Sequence, residues 1–293
     1  MIDRDTLAPR IEHVAAIPPG ERLPEDAAHL VQALLHHLER GELRAAERAD
    51  DGSWHAVPWV KRGILLAFRL GQLVDMTPAG EAGGQVHGPH APFSFVDKHT
   101  FPTRRFAPSD NVRIVPGGST VRRGAYLAAG VVCMPPMYVN VGAWVGAGTM
   151  IDSHALVGSC AQVGARVHLS AAAQLGGVLE PVNASPVVIE DDVIVGGNCG
   201  VYEGTVVRRR AVLAAGVILT RGTPVIDLVH ERVYRGSAEH ALEIPEGAVV
   251  VPGARRVKGA WAEEQGVALQ TPVIVKYRDE KTDLATALEA WLR

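Results

Sequence analysis

Aromatic residues are scarce in this 293-residue chain: Phe, Trp and Tyr make up 5% of the sequence, although 47% of the residues are hydrophobic. An interior with few rings has to be filled by Val, Leu, Ile and Ala. Long apolar runs are missing as well, since no stretch approaches the roughly 20 residues that a membrane-spanning helix needs. The N-terminal segment MIDRDTLAPR also lacks the apolar run of a signal peptide. These absences predict a protein without a membrane partner.

An excess of one charge and a cysteine framework are absent too. The formal net charge is −3, and the 29 basic and 32 acidic residues are spread along the chain. This distribution argues against a nucleic-acid partner. The three cysteines show neither a disulfide pattern nor zinc-ligand spacing, so no metal site is predicted. We expect Cys133 and Cys199 to point inward as small hydrophobic residues, whereas the pattern leaves Cys160 open. A reducing, cytoplasmic location is expected.

What the chain does contain is a six-residue repeat. Small aliphatic residues recur at every sixth position from Val115 to Leu175, with Cys133 as the one exception, and again from Ile189 to Val225. Neither a helix nor an alternating strand has a period of six. A short fixed repeat is typical of a solenoid, here a parallel β-helix in which three hexapeptides close one triangular coil. Residues such as Gly146 follow the aliphatic positions, and we expect them to supply a positive φ at the corners.

The repeat loses its phase once. Fourteen residues separate Leu175 from Ile189, which we interpret as two hexapeptides plus two residues, and the segment contains Gly176, Gly177 and Pro181. A solenoid accommodates extra residues as a loop from a corner, and such loops often line the binding face. The sequence therefore predicts a ligand site at this loop.

Both ends of the chain lie outside the repeat. Residues 24–40 have the apolar spacing of a helix, a hairpin is predicted around Asp51, and a second helix is predicted from Pro58 to the residue before Gly71. Residues 76–110 are rich in Gly, Pro and His and are interpreted as a linker. Beyond the repeat we expect a hairpin, a further coil, a strand and a short C-terminal helix.

The predicted fold is mainly β. We expect a left-handed parallel β-helix of hexapeptide repeats, with an N-terminal helical (α/β) cap and a small C-terminal tail. The expected units are the cap with its linker at 1–109, the β-helix at 110–255 and the tail at 256–293.

Two longer strings resemble a known family. Residues 111–181, from NVRIVPGG to GGVLEP, and residues 41–70, GELRAAERADDGSWHAVPWVKRGILLAFRL, closely resemble tetrahydrodipicolinate N-succinyltransferases. The second string lies outside the repeat, so the hexapeptide bias cannot explain its match. The resemblance implies an enzyme that moves succinyl from succinyl-CoA, its co-substrate, to the amino group of the ring-opened substrate in diaminopimelate and lysine biosynthesis. It also implies a homotrimer with active sites between subunits and no permanently bound cofactor.

The same resemblance implies three substrate-binding residues. Asp152, in the string GTMID, corresponds to the family aspartate at the acceptor amine. The reaction needs such a group because an ammonium is no nucleophile, and general-base help is typically worth about 10²–10⁴ in rate. Arg113 corresponds to the family arginine that binds a substrate carboxylate. Gly177 corresponds to the position where the family offers backbone amides to the ligands.

One departure from the family bears on the mechanism. Many members carry a second catalytic glutamate where this chain has Gly200, in the string GGNCGVYEG. Glu203 is the next carboxylate, although the family has its own glutamate there. His154 stands where a tryptophan is common, and an imidazole titrates near neutral pH. The candidate catalytic residues are therefore Asp152, His154 and Glu203.

For coenzyme A, the string PGARRVKG places Arg255, Arg256 and Lys258 together, and these cations are the predicted phosphate contacts.

Two alternatives stay open. The string PVVIEDDVIVGGN also resembles acetyltransferase relatives, which would make acetyl-CoA the donor for the same acceptor. A remote alternative is a non-catalytic or metal-binding β-helix scaffold. Such a metal site needs three histidines at a subunit interface, and only His154 and His168 lie in the coils before the loop.

Overall fold

The N-terminal part is built from three packed helices. The structure, a computed structural model, describes residues 4–77, 94–237 and 240–279. Its first helices are α1 (Arg4–Ala15), α2 (Ala27–Glu39) and α3 (Pro58–Leu70). Helices α2 and α3 confirm the two helix predictions. The sequence did not predict α1, which has Pro9 inside it, yet its Leu7, Ile11 and Val14 are buried against the other two helices.

Two short ribbons accompany these helices. Strands β1 (Ala46–Arg48) and β2 (Trp54–Ala56) pair antiparallel, which confirms the hairpin around Asp51. Strands β3 (Leu73–Asp75) and β4 (Val96–Lys98) also pair antiparallel. Part of the predicted linker is therefore regular structure, because β4 falls inside it. Residues 78–93 of that segment lie outside the described residues.

The hexapeptide repeat forms a triangular prism of very short parallel strands, as predicted. In chain order they are β5 (Arg113–Ile114), β6 (Thr120–Val121), β7 (Tyr126–Leu127), β8 (Val132–Cys133), β9 (Tyr138–Val139), β10 (Trp144–Val145), β11 (Met150–Ile151), β12 (Leu156–Val157), β13 (Gln162–Val163), β14 (His168–Leu169), β15 (Gln174–Leu175), β16 (Val188–Ile189), β17 (Ile194–Val195), β18 (Gly200–Val201), β19 (Val206–Val207), β20 (Val212–Leu213) and β21 (Ile218–Leu219).

The C-terminal part completes the prism and adds a ribbon. Its elements are β22 (Val225–Asp227), β23 (Arg232–Tyr234), β24 (Glu243–Ile244), β25 (Ala248–Val251), β26 (Ala254–Arg256), α4 (Ala260–Glu264), β27 (Ala268–Gln270) and β28 (Val273–Tyr277). Strands β22 and β23 form the predicted hairpin, β24 and β25 the predicted further coil, and β28 the predicted strand. Helix α4 was not predicted. The predicted C-terminal helix lies outside the described residues.

The prism has three faces. The first face is the six-stranded sheet β24-β19-β16-β13-β10-β7, and the third is the six-stranded sheet β21-β18-β15-β12-β9-β6. The second face runs from β5 through β8, β11, β14, β17 and β20 to β25, and continues into β28, β22 and β23. Successive strands therefore lie on the first, second and third face in turn. The position of a residue in the repeat decides which corner of the prism it occupies.

The aliphatic residue of each hexapeptide is buried inside the prism. Val145, Ile151 and Val157 are each 0% exposed, and they belong to one continuous core. Burying such a side chain stabilises the fold by roughly 1.5–3 kcal/mol, so the stacked copies replace the aromatic core that the sequence lacks. Cys133 and Cys199 are buried in this core as predicted, and burial raises the pKa of the Cys133 thiol to about 12.

Cys160, which the sequence left open, lies in a second core. It is 0% exposed and packs with α1, α2 and α3 where these helices cover the prism. Burial raises the pKa of its thiol to about 12. Cys160 is therefore a packing residue between the helices and the prism.

Three details of the predicted repeat are wrong. The first inward residue is Ile114, not Val115, because Ile114 pairs with Cys133. The gap after Leu175 is one hexapeptide with eight inserted residues, since β15 on the third face is followed directly by β16 on the first. Gly146 does not have a positive φ. A Cβ atom there would lie 2.5 Å from the backbone of Gly164, so this glycine permits the close approach of two coils.

Candidate active site

A cavity of about 1210 Å³ opens where the inserted loop leaves the prism. The loop, residues 176–187, joins the third face to the first. The cavity is lined by this loop, by the β1–β2 hairpin, by the turn after β18 and by the turn after β21. The sequence predicted a ligand site at the loop, and this cavity is where the structure provides space for one.

A buried carboxylate holds the β1–β2 hairpin on the prism. Glu190 accepts hydrogen bonds from Trp54 Nε1 at 3.0 Å, from Arg208 Nη1 at 2.9 Å and from the backbone N–H of Arg209 at 3.0 Å. Burial alone would raise the pKa of Glu190, but these hydrogen bonds outweigh it and lower the pKa. Ser185 in the loop also donates a hydrogen bond to the carbonyl of Trp54 at 3.2 Å. The hairpin wall of the cavity is therefore fixed to the prism.

Two of the predicted site residues line the cavity. Glu203 lies in the turn after β18, and its Oε2 atom accepts a hydrogen bond from the backbone N–H of Arg221 at 2.9 Å. This contact ties the carboxylate to the next coil. Gly177 lies in the inserted loop, where a Cβ atom would be 2.7 Å from the backbone nitrogen of Ser159. Glycine is needed at 177 because the loop passes this close to the coil below.

Asp152 and His154 lie at a different corner. They belong to the turn between β11 and β12, at the corner of the second and third faces, whereas the cavity is at the corner of the third and first faces. Asp152 is half-buried, and its Oδ1 atom accepts a hydrogen bond from the backbone N–H of Ser153 at 2.7 Å. His154 is exposed, and its backbone N–H donates to the carbonyl of Pro136. Within one protomer these residues are not brought to the cavity.

The left-handed backbone of His154 is a property of the repeat. Its φ is 63°, a conformation that usually favours glycine. The corresponding turn residues Cys160, Arg166 and Ala172 have φ values of 66°, 53° and 59°. The conformation of His154 is therefore no sign of a special role.

Arg113 lies on the same side of the prism as Asp152. It is exposed on β5, which is followed up the second face by β8 and then β11, the strand that leads into Asp152. Neighbouring strands are about 4.8 Å apart, so the two residues are separated by roughly 10 Å along the prism. Arg113 lines a small hollow of about 250 Å³ with Asn111 and Gly130.

The three predicted CoA cations lie on the ribbon beyond the last coil. Arg255 and Arg256 are on β26, which pairs antiparallel with β27. Neighbouring residues of a strand face opposite sides, so these two guanidinium groups do not share one face. Lys258 is exposed beyond the end of β26. None of the three lines the cavity.

Sequence reasoning missed Tyr202, a cavity residue beside Glu203. The signal was the string GVYEG, in which an aromatic residue stands two positions after the glycine at 200.

Across residues 4–77, 94–237 and 240–279, no three His, Cys, Asp or Glu side chains gather in a group that could hold a metal ion. Within the same ranges, no helix combines the length and the apolar character needed to cross a membrane.

Comparisons with known proteins agree with the prism and its cap. Residues 12–70 match the family model for the tetrahydrodipicolinate N-succinyltransferase N-terminal region, and residues 186–221 match that for the hexapeptide repeat of succinyl-transferase. The chain is thus a hexapeptide-repeat acyltransferase with a left-handed parallel β-helix.

Full-length relatives define the family further. A 2,3,4,5-tetrahydropyridine-2,6-dicarboxylate N-succinyltransferase of Nitrobacter hamburgensis is 41% identical over 96% of this chain and 94% of its own length. The enzyme of that name from Polynucleobacter asymbioticus is 39% identical over 96% of this chain and 95% of its own. The chain belongs to the tetrahydropyridine-dicarboxylate N-succinyltransferase family.

A solved structure from Campylobacter jejuni, described as a 2,3,4,5-tetrahydropyridine-2-carboxylate N-succinyltransferase, is more distant. It is 20% identical, with a TM-score of 0.45 over 88% of this chain and 64% of that one. The family assignment rests on the full-length relatives.

Proposed function

We propose that this chain transfers the succinyl group of succinyl-CoA to the amino group of ring-opened L-2,3,4,5-tetrahydrodipicolinate. The observation that carries the proposal is the identity of 41% over 96% of the chain with a relative named for this reaction. The cavity at the inserted loop is consistent with this reaction, because its walls combine the loop glycines at 176 and 177 with the charged side chains of Glu203, Arg221 and Glu243.

The active site is proposed to form between two protomers. Asp152 and the cavity occupy different corners of one prism, separated by the third face. That face carries Tyr138, Leu156 and Ile218 outward, and each is half-buried in the single chain. In a trimer of parallel prisms, the Asp152 corner of one protomer faces the cavity corner of the next. This arrangement would bring the candidate residues to one substrate.

The proposed chemistry is an acyl transfer without a metal. The amine nitrogen forms a C–N bond to the thioester carbonyl carbon, and the C–S bond breaks to release coenzyme A. The proton lost by the nitrogen is taken by a side-chain base, Asp152 or His154, and is finally transferred to the thiolate. Arg113 pairs with a carboxylate of the acceptor, since a guanidinium group binds carboxylates through two hydrogen bonds. Arg255, Arg256 and Lys258 stay candidate contacts for the phosphates of CoA.

Product analysis tests the proposal. Purified protein is incubated with succinyl-CoA and tetrahydrodipicolinate. The product is identified by mass spectrometry and by NMR detection of the new amide bond. We expect an acceptor that carries one succinyl group on nitrogen, formed by a trimer in light scattering. Formation of free succinate without any acylated acceptor would contradict the proposed reaction, and a fully active monomer would contradict the inter-subunit site.

A further inference from the structure

The ring of Tyr202 lies across two glycines in the wall of the cavity. A Cβ atom built on Gly200 would be 2.9 Å from both Cζ and Oη of Tyr202, and closer still to Cε2. A Cβ atom built on Gly176 would be 2.7 Å from Cδ1 of the same ring. No other residue type fits at 176 or 200 while the ring keeps this position. Gly176, Gly200 and Tyr202 therefore form one structural unit.

The repeat explains how this unit arises. Leu175 pairs with Val201 on the third face, so Gly176 and Tyr202 are equivalent residues of successive coils. Gly200 is the outward residue of β18 and has no side chain to hold the ring upright. The ring therefore lies along the prism, with its hydroxyl end toward Gly200 and its base over Gly176.

The hydroxyl of Tyr202 is available to a ligand. Tyr202 lines the cavity, and among the described residues no group hydrogen bonds its Oη atom. Covering two glycines needs only an apolar ring, which Phe would supply. The neighbouring carboxylate of Glu203 is already used, since it accepts the backbone N–H of Arg221. The phenol is thus a polar group of the cavity wall for which the described residues supply no hydrogen-bond partner.

We propose that Tyr202 is a catalytic residue that donates a hydrogen bond to the thioester carbonyl oxygen while the amine adds to it. This inference rests on the proposed function. A phenol keeps its proton at neutral pH, so it acts here as a donor and not as a base. Negative charge develops on that oxygen in the tetrahedral intermediate, and a fixed donor stabilises it more than the uncharged substrate. Tyr202 retains its proton throughout, and the amine proton follows the route through Asp152 or His154.

The proposal also accounts for the departure at Gly200. The family resemblance places a glutamate at this position, and in this chain the tip of Tyr202 occupies the space beside its Cα atom. A carboxylate at 200 and the observed ring position exclude each other. The chain therefore replaces an acidic group by a neutral hydrogen-bond donor at this wall.

Tyr202→Phe removes the hydroxyl and keeps the ring. Removal of one donor to a developing oxyanion typically costs about 10²–10³ in kcat. We expect kcat to fall at least tenfold, with KM for succinyl-CoA and the thermal midpoint unchanged. Tyr126→Phe is the matched control, because Tyr126 packs on Trp144 outside the cavity and should keep wild-type kcat.

Gly200→Ala provides a second, independent test of the role of Tyr202. Its methyl group collides with the ring tip, so it should lower kcat in the wild type but add little in the Tyr202→Phe background, as a double-mutant cycle measures. A Tyr202→Phe variant with kcat within twofold of wild type, or with a raised KM at unchanged kcat, would overturn the inference. If the wild type itself transfers no succinyl group, the proposed function fails instead.

Discussion

Lys61 of α3 donates a hydrogen bond from its Nζ atom to the backbone carbonyl of Ala184, in the inserted loop that lines the cavity. The Lys61 side chain is 0% exposed, and burial lowers its pKa. A cap helix thus reaches across its own interface to fix the wall of the candidate site. The cap is part of the site's construction, which explains why the family resemblance extends into residues outside the repeat.

Lys61→Met should loosen this wall. The variant keeps the length of the side chain but leaves the Ala184 carbonyl without its donor, and an unpaired buried polar group costs about 1–3 kcal/mol. We expect KM for succinyl-CoA to rise severalfold in steady-state assays, because the loop is held less firmly. The control is Lys276→Met, since Lys276 is on the surface and pairs with Asp279. Unchanged KM and unchanged thermal midpoint in Lys61→Met would show that the loop does not depend on this contact.

Asp152→Asn should inactivate the enzyme without unfolding it. An amide has nearly the shape of a carboxylate and can still accept the hydrogen bond from the Ser153 N–H, but it cannot take a proton. We expect kcat to fall by about 10²–10⁴, as for loss of a general base, with the proposed trimer and the thermal midpoint unchanged. Turnover within threefold of the wild type would reduce Asp152 to a turn residue.

His154→Phe separates the imidazole from the turn that carries it. His154 is exposed and its contacts to Pro136 and Gln174 are made by its backbone, so the substitution should change stability little. We expect kcat/KM to fall at least tenfold and the acidic limb of the pH–rate profile to change. An unaltered profile in His154→Phe, together with loss of activity in Glu203→Gln, would assign the second proton-transferring group to Glu203.

Acid should destabilise the hairpin of β22 and β23 through one carboxylate. Asp227 is 1% exposed; burial alone would raise its pKa, but hydrogen bonds from Tyr277, His230 and the backbone lower it to about 2. A depressed folded-state pKa contributes stability that is present above the unfolded value near 4 and is lost as pH falls toward 2. We expect the free energy of unfolding to drop by about 2 kcal/mol over this range.

Asp227→Asn should remove that part of the acid dependence, measured by denaturant unfolding at each pH. An identical slope in the variant and the wild type between pH 4 and pH 2 would assign the acid sensitivity to other carboxylates.

The prism could be predicted from sequence because its core obeys a simple count. Each inward residue from Val121 to Leu175 falls on the predicted phase, since a narrow interior accepts one small aliphatic side chain per side. The prediction failed at Ile114 and at the inserted loop, where extra residues alter the count without altering the composition. Helix α1 was missed because its three buried apolar residues are few and Pro9 interrupts the pattern.

The site was harder to predict than the fold. Resemblance identified Glu203 and Gly177, which do line the cavity, but it did not show that Asp152 occupies a different corner of the same prism. The position of the Tyr202 ring depends on two glycines that are 24 residues apart in sequence and adjacent in space. A count along the chain does not show such a contact.

The choice of acyl donor distinguishes the proposed succinyl transfer from acetyl transfer to the same acceptor. Purified protein is assayed with tetrahydrodipicolinate and either succinyl-CoA or acetyl-CoA, and release of the CoA thiol is followed. The three protein cysteines are buried and should not react with the thiol reagent in the native state. We predict acceptor-dependent thiol release with kcat/KM at least tenfold higher for succinyl-CoA. An equal or higher value for acetyl-CoA would contradict the account.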